Sequence, residues 1–313
     1  MTGLILTLTV NPAIDRNFTT DRLVFEDRTY ILDSSESAGG RGINASRVIH
    51  SFGGQTLALA TAGGDAGDRL RQHLSQAGFP FELVPIAREI RTNLTITDRQ
   101  GLTVKLNEFG PRLTPEEVGR LEEAVRRNLS GASWLLLCGS LPPGVPPAFY
   151  SKLIGIAQKL GVKTLLDTDG EALLEGLRAR PTVVAPNQQE AERLLNAALV
   201  SRSQALEAAQ RIRGLGPESV VLSLGSRGAI GAFDDVLLEA LPPAVEVLCP
   251  IGAGDALAAA CAWALERGAD PADALRWGVA AGTASARLPG LRFASLAETR
   301  ELYQGVELRP AAP

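Results

Sequence analysis

The densest chemistry in this 313-residue sequence lies in Cys249-Pro250-Ile251-Gly252-Ala253-Gly254-Asp255-Ala256-Leu257. The small residues at 252–254 let the backbone turn tightly and approach a ligand, and the apolar run from Ala256 to Leu265 begins a helix. A helix start has unpaired N–H groups and partial positive charge. The N–H groups of Gly252, Ala253 and Gly254 therefore suit an anion such as a phosphate. Asp255 then stands beside that anion. A carboxylate there is electrostatically unfavourable, and a role as general base toward an attacking hydroxyl would account for it. The other reading is an acidic residue in a first helical turn, which the helix dipole favours in any case. These nine residues alone do not separate the two.

Other stretches offer partial chemistry. Gly40-x-Gly42-x-x-Ala45 has the spacing of a dinucleotide fingerprint, but it follows Asp33-Ser34-Ser35-Glu36-Ser37, which is not a buried strand. It still opens a helix where hydroxyls or a phosphate can bind, with Asn44 on the first turn. No GxxxxGK[ST] occurs, which excludes a P-loop. Gly139-Ser140-Leu141-Pro142-Pro143-Gly144 is a rigid turn after a strand, either a plain connector or a place where Ser140 touches a ligand. Asn187-x-x-Glu190 reads first as an N-cap with a capping-box Glu. It reads second as a pair that orders water around Mg²⁺ and phosphate, since Mg²⁺ keeps most of its waters.

These residues need a scaffold, and the patterning supplies one. Gly3–Val10 is a β-rich strand that ends at Asn11-Pro12, with Asp15 and Arg16 in the loop after it. Helices are expected from the Gly40 cluster to Phe52 and over 68–77. Thr114-Pro115-Glu116-Glu117 opens another, running to Leu129. From Trp134 onward, apolar strands alternate with amphipathic helices until a hairpin at 229–240, and two or three helices finish the chain. This alternation predicts an α/β fold with a mostly parallel sheet covered by helices on both faces. Ligands of such sheets sit at the carboxyl ends of the strands. Asn11, Asp15, Ser140, Asp167, Asp169, Asn187, Glu190 and Gly225 all fall there. The half-polar segments 17–34 and 91–108, with short strands expected at 18–23 and 28–33 and a hairpin over 91–107, do not fit the sheet and predict a small β-sheet lid. No linker interrupts the chain, so residues 1–313 are expected to form one domain.

Composition narrows the partners. Hydrophobic residues make up 45% and charged residues 21%, and the net charge is −4, so nothing points to nucleic acid or an anionic membrane surface. Cys138, Cys249 and Cys261 are few, odd in number and without CxxC spacing, which predicts a reducing compartment and no structural metal. His50 and His73 read as ordinary helix residues. The N-terminus lacks the basic start of a signal peptide, and no apolar run is long enough to span a membrane. A cytoplasmic location is the expectation.

Taken together, the chain resembles the ribokinase-like sugar kinases, in particular their phosphofructokinase-B branch. The resemblance rests on Thr9-Val10-Asn11-Pro12-Ala13-Ile14-Asp15-Arg16, Gly39-Gly40-Arg41-Gly42-Ile43-Asn44, Gly139 to Gly144, Asp167 to Leu173, Pro186 to Glu190, Ser223 to Gly228 and Ile251 to Asp255. It implies ATP-dependent phosphorylation of a sugar phosphate, with ATP and Mg²⁺ as cofactors. Its nearest variety is 1-phosphofructokinase, which converts fructose 1-phosphate and ATP to fructose 1,6-bisphosphate and ADP. Tagatose 6-phosphate and fructose 6-phosphate are the alternative acceptors, and a non-catalytic sugar-phosphate sensor is the alternative of a different class. The resemblance implies Asp255 as base and Gly252, Ala253 and Gly254 as the anion hole. It puts Asp15, Gly39, Gly40, Arg41 and Asn44 around the sugar. Arg91 takes the sugar's own phosphate, helped by Asn93, Lys105 and Arg28, and Ser140 touches the substrate. Asn187, Ser223, Gly225, Gly228, Gly252 and Gly254 hold the nucleotide, and Glu190 faces the metal through water. A homodimer through the lid is expected, with Arg28 reaching the neighbouring site. The family usually has Gly-Gly-Lys-Gly where this chain has Arg41, Lys-Pro-Asn where it has Ala185-Pro186-Asn187, and often Ser where it has Ala256.

Overall fold

The first strand, β1 (Leu4–Thr9), shows why the chain layers as it does. It is buried on both sides: Leu6 and Leu8 enter one core cluster and Ile5 the other, with Thr7 and Thr9 buried beside Ile5. A strand buried on both faces needs helices above and below it. The same alternation recurs in β8 (Ala132–Cys138), where Leu135 and Leu137 face one cluster and Trp134 and Leu136 the other. The structure, a computed structural model, describes residues 3–24, 26–234 and 236–311. Positions 1–2, 25, 235 and 312–313 lie outside the described residues; they fall at the chain ends, inside the expected lid and in the turn of the expected hairpin.

Beside β1 stand β4 (Gln55–Ala62) and β5 (Phe81–Pro85). On the other side of β8 come β9 (Lys163–Asp167), β10 (Val183–Val184), β11 (Ser219–Ser223), β12 (Ala229–Phe233), β13 (Val236–Leu241) and β14 (Glu307–Pro310). The sheet order is β14-β13-β12-β11-β10-β9-β8-β1-β4-β5. Pairing is parallel from β5 through β11, and β12, β13 and β14 add on antiparallel. The carboxyl ends of β1, β8, β9, β10 and β11 therefore share one edge, as the patterning predicts.

Helices α1 (Arg41–Ser51), α8 (Ala253–Glu266), α9 (Pro271–Ala286) and α10 (Leu296–Tyr303) follow one another on one side of the sheet. On the other side lie α2 (Gly64–Ala77), α3 (Pro115–Leu129), α4 (Phe149–Lys159), α5 (Gly170–Arg178), α6 (Gln188–Leu195) and α7 (Arg202–Arg213). Helix α8 is buried from Ala256 to Ala264, a stretch in which most side chains are alanine. Alanine combines the best helix propensity with the smallest side chain, so neighbours approach closely. A Cβ at Gly278 of α9 would collide with Cys261 Sγ of α8. This close packing fixes the start of α8, and with it Asp255.

The lid is a separate four-stranded sheet, ordered β3-β2-β6-β7, of β2 (Ala13–Thr20), β3 (Ile31–Gly39), β6 (Arg91–Asp98) and β7 (Thr103–Asn107). The 91–107 hairpin is as expected, whereas the first half of the lid differs. Asp15 and Arg16 lie in the middle of β2, not in a loop, and the strands span 13–20 and 31–39 where 18–23 and 28–33 were expected. The polar run Ser34–Ser37, read as no buried strand, belongs to β3, an exposed edge strand that buries only its end at Ala38 and Gly39. Helix α2 begins at Gly64, four residues before the expected start, and β14 adds an unexpected edge strand after the last helix.

Candidate active site

One cleft of about 1200 Å³ runs along the carboxyl edge of the large sheet and under the lid. The lid face that meets it is set by register. Asp15 of β2 pairs with Asn93 of β6, Asn93 with Asn107 of β7, and Thr95 with Lys105. Residues in register point to the same face, so Asp15, Arg91, Asn93 and Lys105 all reach the cleft. Asn93 Nδ2 donates to Asp15 Oδ1 at 2.9 Å. Burial raises the Asp15 pKa, while that hydrogen bond and the Arg91 and Arg47 guanidinium groups pull it back. Gly39 is required here, because a Cβ would collide with the Asp15 carboxylate.

Arg91 donates from its two terminal nitrogens to the Glu108 and Asn11 carbonyl oxygens, each at 3.0 Å. Burial lowers its pKa, opposed by Asp15. Asn11 donates to the Phe109 carbonyl at 2.9 Å and to Ser140 Oγ at 3.3 Å. Several buried polar atoms along this wall have no partner among the described residues: Asn11 Oδ1, Asn44 Oδ1, Asn93 Oδ1 and Arg91 Nε. Unpaired buried groups are costly. Here they are the amide acceptors and the guanidinium donor that a polyhydroxy ligand carrying an anionic group would satisfy.

At the middle of the cleft stands Asp255, in the first turn of α8. Gly252 caps the helix in a left-handed conformation, φ 81°, and no side chain caps it. The first-turn N–H groups are thus left to a ligand. Of the three expected to do so, that of Ala253 already has an acceptor, the Pro250 carbonyl at 3.3 Å. Asn44 Nδ2 donates to Asp255 Oδ2 at 2.7 Å. The Asp255 carboxyl is pushed up to about 7, first by burial and then by Asp167, while Arg41 and Asn44 oppose the rise. A carboxyl that titrates near neutrality, hydrogen-bonded and beside an uncapped helix start, has the properties of a general base.

The far end of the cleft is lined by Asn187, Ser223, Gly225 and Gly228. Its apolar wall is made by Val221, Val245, Val247, Val279, Ala286 and Leu291. Sequence reasoning missed that wall. The irregular 242–250 stretch has no periodicity, and its prolines and valines become legible only once the fold brings them opposite β11. The Asn187–Glu190 capping box is realised in both directions, each hydrogen bond at 2.9 Å. Arg41, expected at the sugar, lines the cleft and pairs with three carboxylates: Asp167 at 2.7 Å, Glu190 at 2.9 Å and Asp169 at 3.4 Å.

The residues present do not build an inner shell for a resident Mg²⁺. Glu190 gives one oxygen to Arg41 and the other to its own helix cap. Among the described residues no group of three His, Cys, Asp or Glu side chains is arranged to hold a metal ion. The lining brings together all the expected site residues except Gly39, which cradles Asp15 from behind. Arg28 does not line it.

A buried carboxylate at an uncapped helix start, in a strand-edge cleft under a β lid, defines a ribokinase-like phosphotransferase. The family described as pfkB family carbohydrate kinase matches residues 8–298, and the chain belongs to it. It is an ATP-dependent sugar kinase, transferring to an alcohol acceptor. It is 34% identical over 302 residues to the ATP-dependent 6-phosphofructokinase isozyme 2 of Escherichia coli K12, covering 96% of this chain and 97% of that one. The structure of Escherichia coli phosphofructokinase-2 in complex with fructose-6-phosphate is 34% identical and has a TM-score of 0.89, covering 97% of this chain and 99% of that one. The tetrameric inhibited form of that enzyme gives 33%, 0.89 and the same coverage. A possible 1-phosphofructokinase from Thermotoga maritima, 22% identical over 99% of this chain and 100% of that one with a TM-score of 0.89, shares the fold.

Proposed function

We propose that this kinase transfers the γ-phosphoryl group of ATP to the free primary hydroxyl of a fructose monophosphate, giving fructose 1,6-bisphosphate and ADP. The observation that carries the reading is the Asp255 carboxyl, held by Asn44 at 2.7 Å and raised to about 7 beside the uncapped start of α8. The acceptor oxygen forms the new P–O bond as the bond to ADP breaks, and its proton passes to Asp255. Gly254 and its neighbours at the helix start hold the transferring group. Asp15, Gly40, Asn44 and Asn93 receive the sugar hydroxyls. Arg91, Lys105 and Ser140 take the phosphate already on the sugar, and a guanidinium suits that by its fork geometry. Asn187, Ser223, Gly225 and Gly228 line the nucleotide's place. Glu190, whose oxygens are engaged by Arg41 and by its own helix cap, would meet a Mg²⁺ brought by ATP only through water, and the ion would supply charge neutralisation of the phosphates.

The sequence expectation is fructose 1-phosphate as acceptor. Similarity weighs toward fructose 6-phosphate, because the relatives at 33–34% identity are 6-phosphofructokinase and phosphofructokinase-2, whereas the 1-phosphofructokinase-like structure at 22% speaks for the fold alone. Both acceptors give the same product, so the choice is one of orientation in one cleft. A coupled ADP-release assay with each hexose monophosphate tests it. We expect the highest kcat/KM with fructose 6-phosphate. A preference for fructose 1-phosphate restores the first expectation, and binding without turnover makes the protein a sensor.

The chain works as one domain whose lid serves two purposes. The cleft face is polar. The opposite face carries Phe18, Leu94, Ile96, Val104 and Leu106, none fully buried, and Tyr30, Ile31 and Leu32 are exposed beside it. A second copy would cover them in a dimer. Three free cysteines suit a reducing compartment such as the cytoplasm. No helix among the described residues is long and apolar enough to cross a membrane.

A further inference from the structure

Arg41 begins α1, the end of a helix where positive charge is disfavoured. No acidic residue in that first turn offsets it. Its compensation comes from far along the chain. One terminal nitrogen reaches Asp167 at the end of β9, and the other reaches Glu190 in the first turn of α6 and, more distantly, Asp169 just before α5. Asp167 and Glu190 are both buried. Two buried carboxylates with a third beside them cannot all stay ionised without a cation. Metal ions are drawn to such a cluster, yet the guanidinium already lies between its oxygens, and no metal-holding group of three such side chains exists among the described residues.

We infer that Arg41 is the built-in cation of this cluster: its guanidinium takes the place a divalent ion would otherwise fill between Asp167, Asp169 and Glu190, so that the protein needs no metal of its own beyond what ATP brings. Arg41 is thus a positioning residue. It ties the sugar-side helix α1 to the nucleotide-side helix α6 through a fork that a lysine cannot reproduce at both ends. Its proton is held unusually tightly, chiefly by Asp167, as expected of a fixed charge.

The test compares the full chain with Arg41→Ala and Arg41→Lys, without nucleotide, by melting with and without millimolar MgCl₂ against NaCl of equal ionic strength. The unsubstituted protein should melt at the same temperature in both. Arg41→Ala should melt lower than the unsubstituted protein in NaCl and rise saturably with Mg²⁺, and Glu190→Gln added to it should abolish the rise. Arg41→Lys keeps a charge in the cluster and should gain no Mg²⁺ response. At constant MgATP, free Mg²⁺ should leave the unsubstituted kinase unchanged and activate Arg41→Ala several-fold. A saturable Mg²⁺ response in the unsubstituted protein overturns the inference. So does an Arg41→Ala chain that Mg²⁺ fails to stabilise or to fold, or an Arg41→Lys chain that responds like Arg41→Ala. The activity arm rests on the kinase reading and the melting arm does not, so failure of either is recognised separately.

Discussion

Replacing Arg91 by alanine removes a side chain that bonds the Glu108 and Asn11 carbonyls and is proposed to take the sugar's phosphate. A guanidinium has five N–H donors. Two are engaged by the Glu108 and Asn11 carbonyls, each at 3.0 Å, and Nε is buried without a partner. Three remain, enough for a bidentate pair with a phosphate. A charge-assisted hydrogen bond contributes about 1.5–3 kcal/mol, so losing the pair should raise the KM for the fructose phosphate roughly tenfold to a hundredfold. The bonds to Glu108 and Asn11 hold the 108–110 loop against the sheet edge, so a modest loss of stability should accompany the change. The KM for ATP should stay near its original value, because Arg91 belongs to the lid strand β6, whereas Asn187 and Gly225 follow β10 and β11 of the large sheet. Steady-state kinetics with each substrate varied in turn, on Arg91→Ala and Arg91→Lys, give the answer. Lysine keeps the charge without the fork and should fall between. An unchanged sugar-phosphate KM in the alanine variant would refute the assignment, and a parallel rise in both KM values would mean that the lid had merely loosened.

The Asp255 carboxyl, raised from 3.8 to about 7 in the folded, ligand-free state, predicts that kcat/KM climbs with pH to a plateau with its midpoint near neutrality. The same shift has a stability sign. Between about pH 4 and 7 the folded chain binds more protons than the unfolded one, so stability falls as pH rises through that window, by at most about 4 kcal/mol. Asp255→Asn should therefore melt above the unsubstituted protein at pH 8, with the gap shrinking at pH 5. A lower melting point at both would favour a mere helix-start role. Sedimentation at micromolar protein should show association through the lid, abolished by Leu106→Glu with Ile96→Glu; a monomer in the unsubstituted protein removes this interface and any role for Arg28 in a neighbouring site.

What the sequence makes legible is what is local. The Thr114-Pro115-Glu117 capping box places α3 at the bounds observed, because its signals lie within one turn. The parallel sheet is readable because double burial leaves apolar runs. Strand β2 is not, since Asp15-Arg16-Asn17 has little strand propensity and is held by partners on both sides, β3 and β6. The exposed polar β3 and the proline-ended β14 are edge strands, which need no apolar pattern. At the site, the Gly252–Asp255 and Asn187–Glu190 signals are short-range and legible. The ion pairs of Arg41 join residues 126 and 149 positions apart, and no spacing rule reaches that far.

The central claim is that Asp255 accepts the proton of the attacking hydroxyl, and the turnover number of Asp255→Asn at pH 8 tests it most directly. The asparagine oxygen can still accept from Asn44 but cannot take a proton, so kcat should drop by roughly 10²–10⁴-fold, with both KM values little changed. An Asp255→Asn enzyme that turns over at the original rate would contradict the account.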